Sequence, residues 1–212
     1  SRLRLAERSV LVLGNVHLND ELRRVVDLDL QEGRIEAHVS PGGAGSSFSV
    51  QTRSGVAGVR GTQFRVIAQG TDTRVETLTG LVALTSPSGS TVDIPAGMRA
   101  TLGSDGVPSG LTAMLPEPAL QAPLKGDWAL DKKLQWKKVQ DANLYRVDLA
   151  RDAEFTLELV SMQALRPGAD LPATLAPGKW FWRVIAQDKD GADGLPSRIY
   201  AFVLPPTREV EP

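Results

Sequence analysis

Alternation of apolar and polar residues is the feature that most restricts what this chain can fold into. In residues 26–30, and again in residues 35–39, an apolar side chain occupies every second position. A period of two places the apolar side chains on one face of an extended strand. Helical periodicity is nearly absent. The sequence therefore predicts an all-β fold built from short strands.

Glycines recur where these strands would turn. A loose unit, in which a glycine is followed by alternating apolar positions, is found at residues 13–16, 32–35, 79–82 and 96–99. Because glycine accepts tight backbone corners, the first part of the chain is predicted to form a rolled sheet or a β-solenoid-like domain. An ordinary β-sandwich is the alternative.

The distribution of aromatic residues and prolines indicates two domains. All four tryptophans and both tyrosines follow residue 125, and three prolines lie between residues 116 and 123. We expect a first domain at residues 1–115, a stiff proline-rich linker at 116–123, a second domain at 124–206 and a tail at 207–212. Trp136, Trp180 and Trp182 are predicted to fill the core of a β-sandwich in the second domain.

Composition excludes several classes of function. A net charge of −1, from 24 basic and 25 acidic residues, gives no long-range field to attract nucleic acid, so no nucleic-acid partner is expected. The absence of cysteine excludes disulfides, thiolate metal sites and cysteine nucleophiles. No apolar run approaches the ~20 residues that span a bilayer, so no transmembrane segment is predicted in this chain.

The sequence also predicts no catalytic residue and no cofactor. His17 and His38 are the only histidines and have no metal-ligand spacing, and no serine has a Gly-x-Ser-x-Gly context. The one candidate metal site is a calcium loop at Asp188, Asp190 and Asp193. A hairpin turn uses the same aspartates and glycines and is the favoured explanation.

Residues 54–66 interrupt a strand pattern with Gly55, Gly58 and Gly61, three glycines that we expect to support the backbone. Residues 58–64, Gly-Val-Arg-Gly-Thr-Gln-Phe, resemble the signature of the FecR domain, a module of bacterial cell-envelope proteins. Residues 30–37, 76–84 and 94–97 resemble the same family in the same order. The resemblance covers roughly residues 1–115.

The resemblance has consequences at both ends of the chain. Residues 1–5 resemble a strand from inside the family's domain, so the chain is expected to begin part-way through a longer protein, with any signal peptide or anchor upstream. Residues 136–139, 142–147 and 177–184 resemble immunoglobulin-like or fibronectin type III modules. The second domain is therefore expected to be an immunoglobulin-like β-sandwich.

The FecR resemblance implies a non-enzymatic periplasmic or cell-envelope module for binding or signal sensing, with an envelope protein or peptidoglycan as its partner. Arg60, Thr62 and Gln63 are the candidate partner-binding residues, because a guanidinium fork can grip a partner. Arg60 could instead tie adjacent strands together. Two other functions remain open: a structural or adhesive surface protein, and a carbohydrate-active enzyme with Asp27 and Asp29 on one strand face.

Overall fold

The computed structural model describes residues 1–18, 24–42, 46–59, 61–123 and 133–206. The chain divides into two compact units, Ser1–Met114 and Leu115–Pro212. The described residues contain 19 strands and no helix. The prediction of an all-β fold is confirmed.

The first unit is one 11-stranded sheet in the order β11-β10-β7-β6-β3-β4-β5-β8-β9, in which β1 and β2 also pair with β3. Every neighbouring pair in this sheet is antiparallel except β3 and β4, which are parallel. The strands are β1 (Arg2–Leu5), β2 (Val10–Leu18), β3 (Arg24–His38), β4 (Ser47–Gln51), β5 (Val56–Val59), β6 (Gln63–Gln69), β7 (Asp72–Thr79), β8 (Leu81–Thr85), β9 (Thr91–Pro95), β10 (Met98–Leu102) and β11 (Thr112–Ala113).

The long strand β3 makes this sheet curl. Residues 25–29 pair in parallel with β4, whereas residues 33–38 pair antiparallel with β6. Between these halves lies Gly33 at a φ of +95°, a conformation that favours glycine. Buried positions change from even numbers at Leu28 and Leu30 to odd numbers at Ile35 and Ala37. This change of phase lets both halves of β3 face one core.

The curled sheet therefore has two layers that share β3. Layer A comprises β1, the second half of β3, β6, β7, β10 and β11, and layer B comprises β2, the first half of β3, β4, β5, β8 and β9. Their buried side chains form a single hydrophobic cluster. Phe48 of layer B and Phe64 of layer A meet in it, with ring centroids 6.1 Å apart and planes at 83°. The predicted rolled sheet is confirmed.

The second unit is a β-sandwich of two sheets, in the orders β12-β13-β16 and β15-β14-β17-β18, with β19 also paired to β17. Trp136, Trp180 and Trp182 are at most 2% exposed and lie in its core. The predicted aromatic core and immunoglobulin-like sandwich are confirmed. The strands are β12 (Leu120–Ala122), β13 (Lys133–Trp136), β14 (Leu144–Ala150), β15 (Val160–Ala164), β16 (Ala169–Asp170), β17 (Gly178–Gln187), β18 (Asp193–Pro196) and β19 (Tyr200–Leu204).

The segment predicted as a linker differs from a plain connection. Its residues 120–122 form β12, which pairs with β13, and Trp182 Nε1 donates a hydrogen bond to the Pro123 carbonyl over 2.9 Å. Prolines stiffen the chain here, but backbone groups of residues 120–123 still form hydrogen bonds with the β-sandwich. Residues 124–132 and the predicted tail at 207–212 lie outside the described residues.

Candidate binding surfaces

The predicted partner-binding residues follow β5, where the chain passes from layer B to layer A. Arg60 lies outside the described residues. Thr62 is only 2% exposed, and its carbonyl accepts a hydrogen bond from Val39 N over 2.8 Å. Gln63 is half-buried and its backbone N–H donates to Thr79 Oγ1 over 3.0 Å. Of the two described residues, only Gln63 offers a side chain that a partner can reach.

The three glycines of this stretch have different surroundings. A Cβ at Gly55 would lie 2.4 Å from the Thr85 carbonyl oxygen, and Gly61 has a φ of +66° with Pro41 Cγ 3.1 Å from its Cβ position. These two positions require glycine. At Gly58, φ is not positive and the nearest atom would be the Ala83 carbonyl oxygen at 4.0 Å. The structure thus leaves room for a side chain at position 58, and the expectation that Gly58 supports the backbone stays a prediction.

A row of alternating charges crosses layer A. Arg65 Nε lies 3.2 Å from Glu36 Oε2, and Arg65 Nη1 lies 3.2 Å from Glu76 Oε2. Both Arg65 and Glu76 are fully buried. Charges of opposite sign on neighbouring strands attract one another across the sheet, so the row holds strands together. In register, the charge row consists of Arg4, Glu36, Arg65, Glu76 and Arg99.

The strands β1 and β2 form an exposed apolar edge. They pair with β3 one after the other, and among the described strands neither pairs with any other. No charged residue or proline occurs in β2. The large apolar side chains of this edge are exposed as follows: Leu13 67%, Val16 60%, Leu18 60%, Val10 50%, Val12 45%, Leu5 44% and Leu3 39%.

Part of this apolar edge faces the core side of the sheet. Leu3 lies opposite buried Ala37, and Leu13 lies opposite buried Leu28, and directly opposed residues share a face. Core-facing side chains are exposed here because no described strand continues the sheet beyond β1 and β2. Within the described residues, the curled sheet is therefore open along the apolar edge.

The candidate catalytic aspartates are held by hydrogen bonds on layer B. Asp27 Oδ1 accepts from Ser49 Oγ over 2.7 Å, and Asp27 Oδ2 accepts from Asn15 Nδ2 over 3.3 Å. Asp29 Oδ2 lies 3.5 Å from its donor, Gln31 Nε2. Neighbouring side chains on the strands therefore account for the polar contacts of both carboxylates.

The aspartates of the calcium-loop candidate have separate local roles. Asp188 Oδ1 accepts hydrogen bonds from the backbone N–H groups of Asp190 and Ala192, each over 2.9 Å. Asp193 is buried and accepts from Arg146 Nη1 over 2.8 Å and Gln187 Nε2 over 2.7 Å. Across the described ranges, no group of three or more His, Asp or Glu side chains is arranged to hold a metal ion.

Asp152 closes the turn that follows β14. Its Oδ1 accepts from the N–H groups of Thr156 and Leu157 over 2.9 and 2.7 Å, and its Oδ2 accepts from Thr156 Oγ1 over 2.7 Å. Desolvation raises the pKa of Asp152, but these hydrogen bonds together outweigh it and lower the pKa below the usual 3.8. These hydrogen bonds stabilise the turn that follows β14.

Comparison with known families gives one match in the first unit. A family model described as "FecR protein" matches residues 1–83. That range runs from β1 into β8. No curated protein sequence matches the chain significantly. In the part of the chain that the structure describes, no helix is long and apolar enough to cross a lipid bilayer.

Three solved structures show a distant similarity to parts of this chain. A proposed anti-sigma factor from Parabacteroides distasonis is 22% identical, with 52% of this chain and 50% of that chain covered and a TM-score of 0.43. The extracellular domain of a proposed hybrid two-component system from B. thetaiotaomicron is 10% identical, with 92% of this chain and 37% of that chain covered and a TM-score of 0.27. The FN1–FN3 domains of chicken CNTN1 are 15% identical, with 76% of this chain and 66% of that chain covered and a TM-score of 0.28. The chain thus spans about half the length of the anti-sigma factor structure.

Proposed function

The first unit of this chain contains a FecR domain, and from that premise we propose that the chain is a non-enzymatic binding or signal-sensing module of the bacterial cell envelope. We place it in the periplasm and assign it a protein partner. The family match supports the envelope role. The geometry of the first unit supports a protein as the partner.

The observation that carries the proposal is the apolar edge. An edge strand offers a row of unpaired backbone N–H and C=O groups, and folded proteins usually protect such strands with charges, prolines or a short length. The strand β2 has nine residues and neither a charge nor a proline. The bulge at Gly14 and Asn15 interrupts its register but leaves apolar side chains exposed on both sides of it. This surface fits an extended partner segment that adds a strand to β2.

The same geometry favours a protein over a cell-wall polymer at this surface. Strand addition needs alternating N–H donors and C=O acceptors at the spacing of a peptide backbone, which a glycan chain does not offer. The exposed Leu13, Val16 and Leu18 side chains are covered by apolar side chains of the added strand. Gln63 remains a candidate for contacts with the partner, whereas the Thr62 side chain is buried. Arg60 lies outside the described residues and stays a prediction from the sequence.

A matched pair of substitutions tests the proposal. Val16 in β2 and Val107 in a loop of the same unit are each 60% exposed, so Val16→Lys and Val107→Lys add the same charge at the same exposure. We expect the wild type and Val107→Lys to capture one defined protein from a bacterial envelope extract. Val16→Lys should lose at least about 90% of that capture, because a desolvated charge at the strand interface is unfavourable, while its melting temperature stays unchanged.

Other outcomes would contradict the proposal in distinct ways. Equal capture by both variants would remove the apolar edge as the docking surface. Retention of the chain on purified peptidoglycan, without capture of a protein, would support the cell-wall alternative. Turnover of a glycan by the purified chain would overturn the non-enzymatic assignment. A structural or adhesive role would leave both variants indistinguishable from the wild type in every assay.

A further inference from the structure

The outer faces of the two layers of the first unit carry charges of opposite sign. On the strands of layer A, six arginines and three acidic residues face outward, namely Arg2, Arg4, Arg34, Arg65, Arg74 and Arg99 with Glu36, Asp72 and Glu76. On the described strands of layer B, the outward-facing charged residues are Asp27, Asp29 and Asp93, all of them acidic. The curled sheet therefore has a basic face on layer A and an acidic face on layer B.

The charge row crosses five strands of layer A and is basic at both ends. Its terminal residues, Arg4 and Arg99, are half-buried. The acidic side chains within the row are less accessible, since Arg4 is 29% exposed, Glu36 13% and Glu76 1%. Both glutamates also lie 3.2 Å from buried Arg65. The two terminal arginines therefore dominate the outer surface of the charge row.

A second row crosses five strands of layer B and is acidic at both ends. In register it consists of Asp27, Ser49, Gly58, Ala83 and Asp93, and we call it the aspartate row. All five residues are half-buried or exposed. The three central side chains are small, and a Cβ on Gly58 would meet no atom closer than 4.0 Å. The aspartate row thus presents two carboxylates on either side of a low surface.

The two rows match in length as well as in charge. In each row the terminal charges lie four strand spacings apart, and at about 4.8 Å per spacing they are separated by about 19 Å along the sheet. Two such rows laid face to face therefore bring both aspartates to both arginines at once. A guanidinium has five N–H donors, so Arg4 can bind a second carboxylate while it stays close to Glu36.

We propose that copies of this chain associate head to tail, with the aspartate row of one copy docked on the charge row of the next. A second copy is the occupant that fits, because its charges are complementary and equally spaced. The two docked surfaces differ, so each copy keeps one row free for a further copy. A face five strands wide and about 17 Å long covers roughly 400 Å² per copy, which is small for a stable interface, so the association is weak and reversible.

Sedimentation velocity of the full chain over a range of concentrations tests this proposal. We expect the weight-average mass to rise with concentration beyond that of a dimer. Raising the salt from about 50 mM to about 500 mM should weaken the association at least about tenfold, because salt screens the ion pairs. Arg4→Glu and Asp93→Lys should each weaken it at least about tenfold, since each brings like charges together. Melting temperatures establish that both variants are folded.

Mixing the two variants gives the sharpest test. Arg4→Glu keeps an intact aspartate row, and Asp93→Lys keeps an intact charge row. An equimolar mixture should therefore form one wild-type contact between unlike variants, whereas each variant alone should not associate appreciably. Arg8→Glu and Asp105→Lys change the same charges at exposed positions outside both rows and should associate like the wild type.

Several results would overturn the proposal. These are a monomer at every concentration, association that persists at high salt, equal losses in the two control variants, and no recovery in the mixture. Binding to vesicles of anionic phospholipid without self-association would assign the basic face to a membrane surface instead. Val16→Lys should leave self-association unchanged, and a loss there would place the contact at the apolar edge. Capture of a protein by the apolar edge is a separate result, so the two proposals fail independently.

Discussion

Gly61 has a φ of +66°, and the position of a Cβ on it lies 3.1 Å from Pro41 Cγ. It stands where the chain leaves β5 in layer B and enters β6 in layer A. A change of layer within so few residues requires a backbone conformation that L-amino acids with side chains rarely adopt. The fold therefore favours glycine over any other residue at position 61.

The first prediction compares Gly61 with Gly58. We expect Gly61→Ala to lower the free energy of unfolding by about 1–3 kcal/mol, because the side chain must accept a left-handed conformation beside Pro41. Gly58→Ala should change it by no more than about 0.5 kcal/mol, since its Cβ points into open space on the outer side of β5. Urea denaturation followed by far-UV circular dichroism measures both. If both variants lost the same free energy of unfolding, the positive φ of Gly61 would not explain why glycine occurs at position 61.

The sequence could not distinguish these two glycines. Both flank the same short segment, and both fit the pattern of glycines at corners. Positive φ depends on where the chain crosses between layers, which is a tertiary property. The burial of Thr62 was equally hidden, because a polar residue after a glycine in a strand pattern reads as exposed.

At the scale of strands, alternation identified elements well where one face is buried. The segments at residues 26–30 and 35–39 were recognised as extended, but their union into the single strand β3 was not, because the phase of alternation changes at Gly33. The exposure of β2 could not be predicted either. Its apolar residues give the pattern of a buried strand, and exposure depends on which strands lie beside it.

The second prediction concerns the charge row across layer A. Arg65→Met should lower the free energy of unfolding of the first unit by about 1–3 kcal/mol, because it removes the buried one of the two arginines that lie 3.2 Å from Glu76. The other, Arg74, is partly exposed. Arg4→Met, in the same row, should cost less than about 1 kcal/mol, since Arg4 is partly exposed and its Nη2 lies 3.8 Å from Glu36 Oε2. Guanidinium titration with far-UV circular dichroism measures the difference.

A double substitution provides the control for this interpretation. Arg65→Met combined with Glu76→Leu removes both buried charges, and we expect it to recover most of the stability lost in the single variant. If the double variant is no more stable than Arg65→Met, the loss comes from packing of the arginine stem rather than from the weaker ion pairing of Glu76. If Arg4→Met lowered the free energy of unfolding as much as Arg65→Met does, burial would not determine how much each arginine of the charge row contributes to stability.

At the scale of the molecule, the family match and the folding unit end at different residues. The FecR match covers residues 1–83 and stops within β8, whereas the compact unit extends to Met114. The strands beyond residue 83 complete the structure, since β9 pairs with β8 and β10 pairs with β7. They also supply buried side chains to the core, including Ile94 and Leu102, both fully buried.

The third prediction follows from this difference in extent. A fragment of residues 1–114 should fold and unfold cooperatively in far-UV circular dichroism, because it retains its complete core. A fragment of residues 1–83 should remain unfolded, since it lacks β9, β10 and the apolar area that Ile94 and Leu102 bury. A fragment of residues 115–212 contains all four tryptophans and should show a cooperative fluorescence transition of its own. A folded 1–83 fragment, or an unfolded 1–114 fragment, would show that the two curled layers do not form one cooperative core.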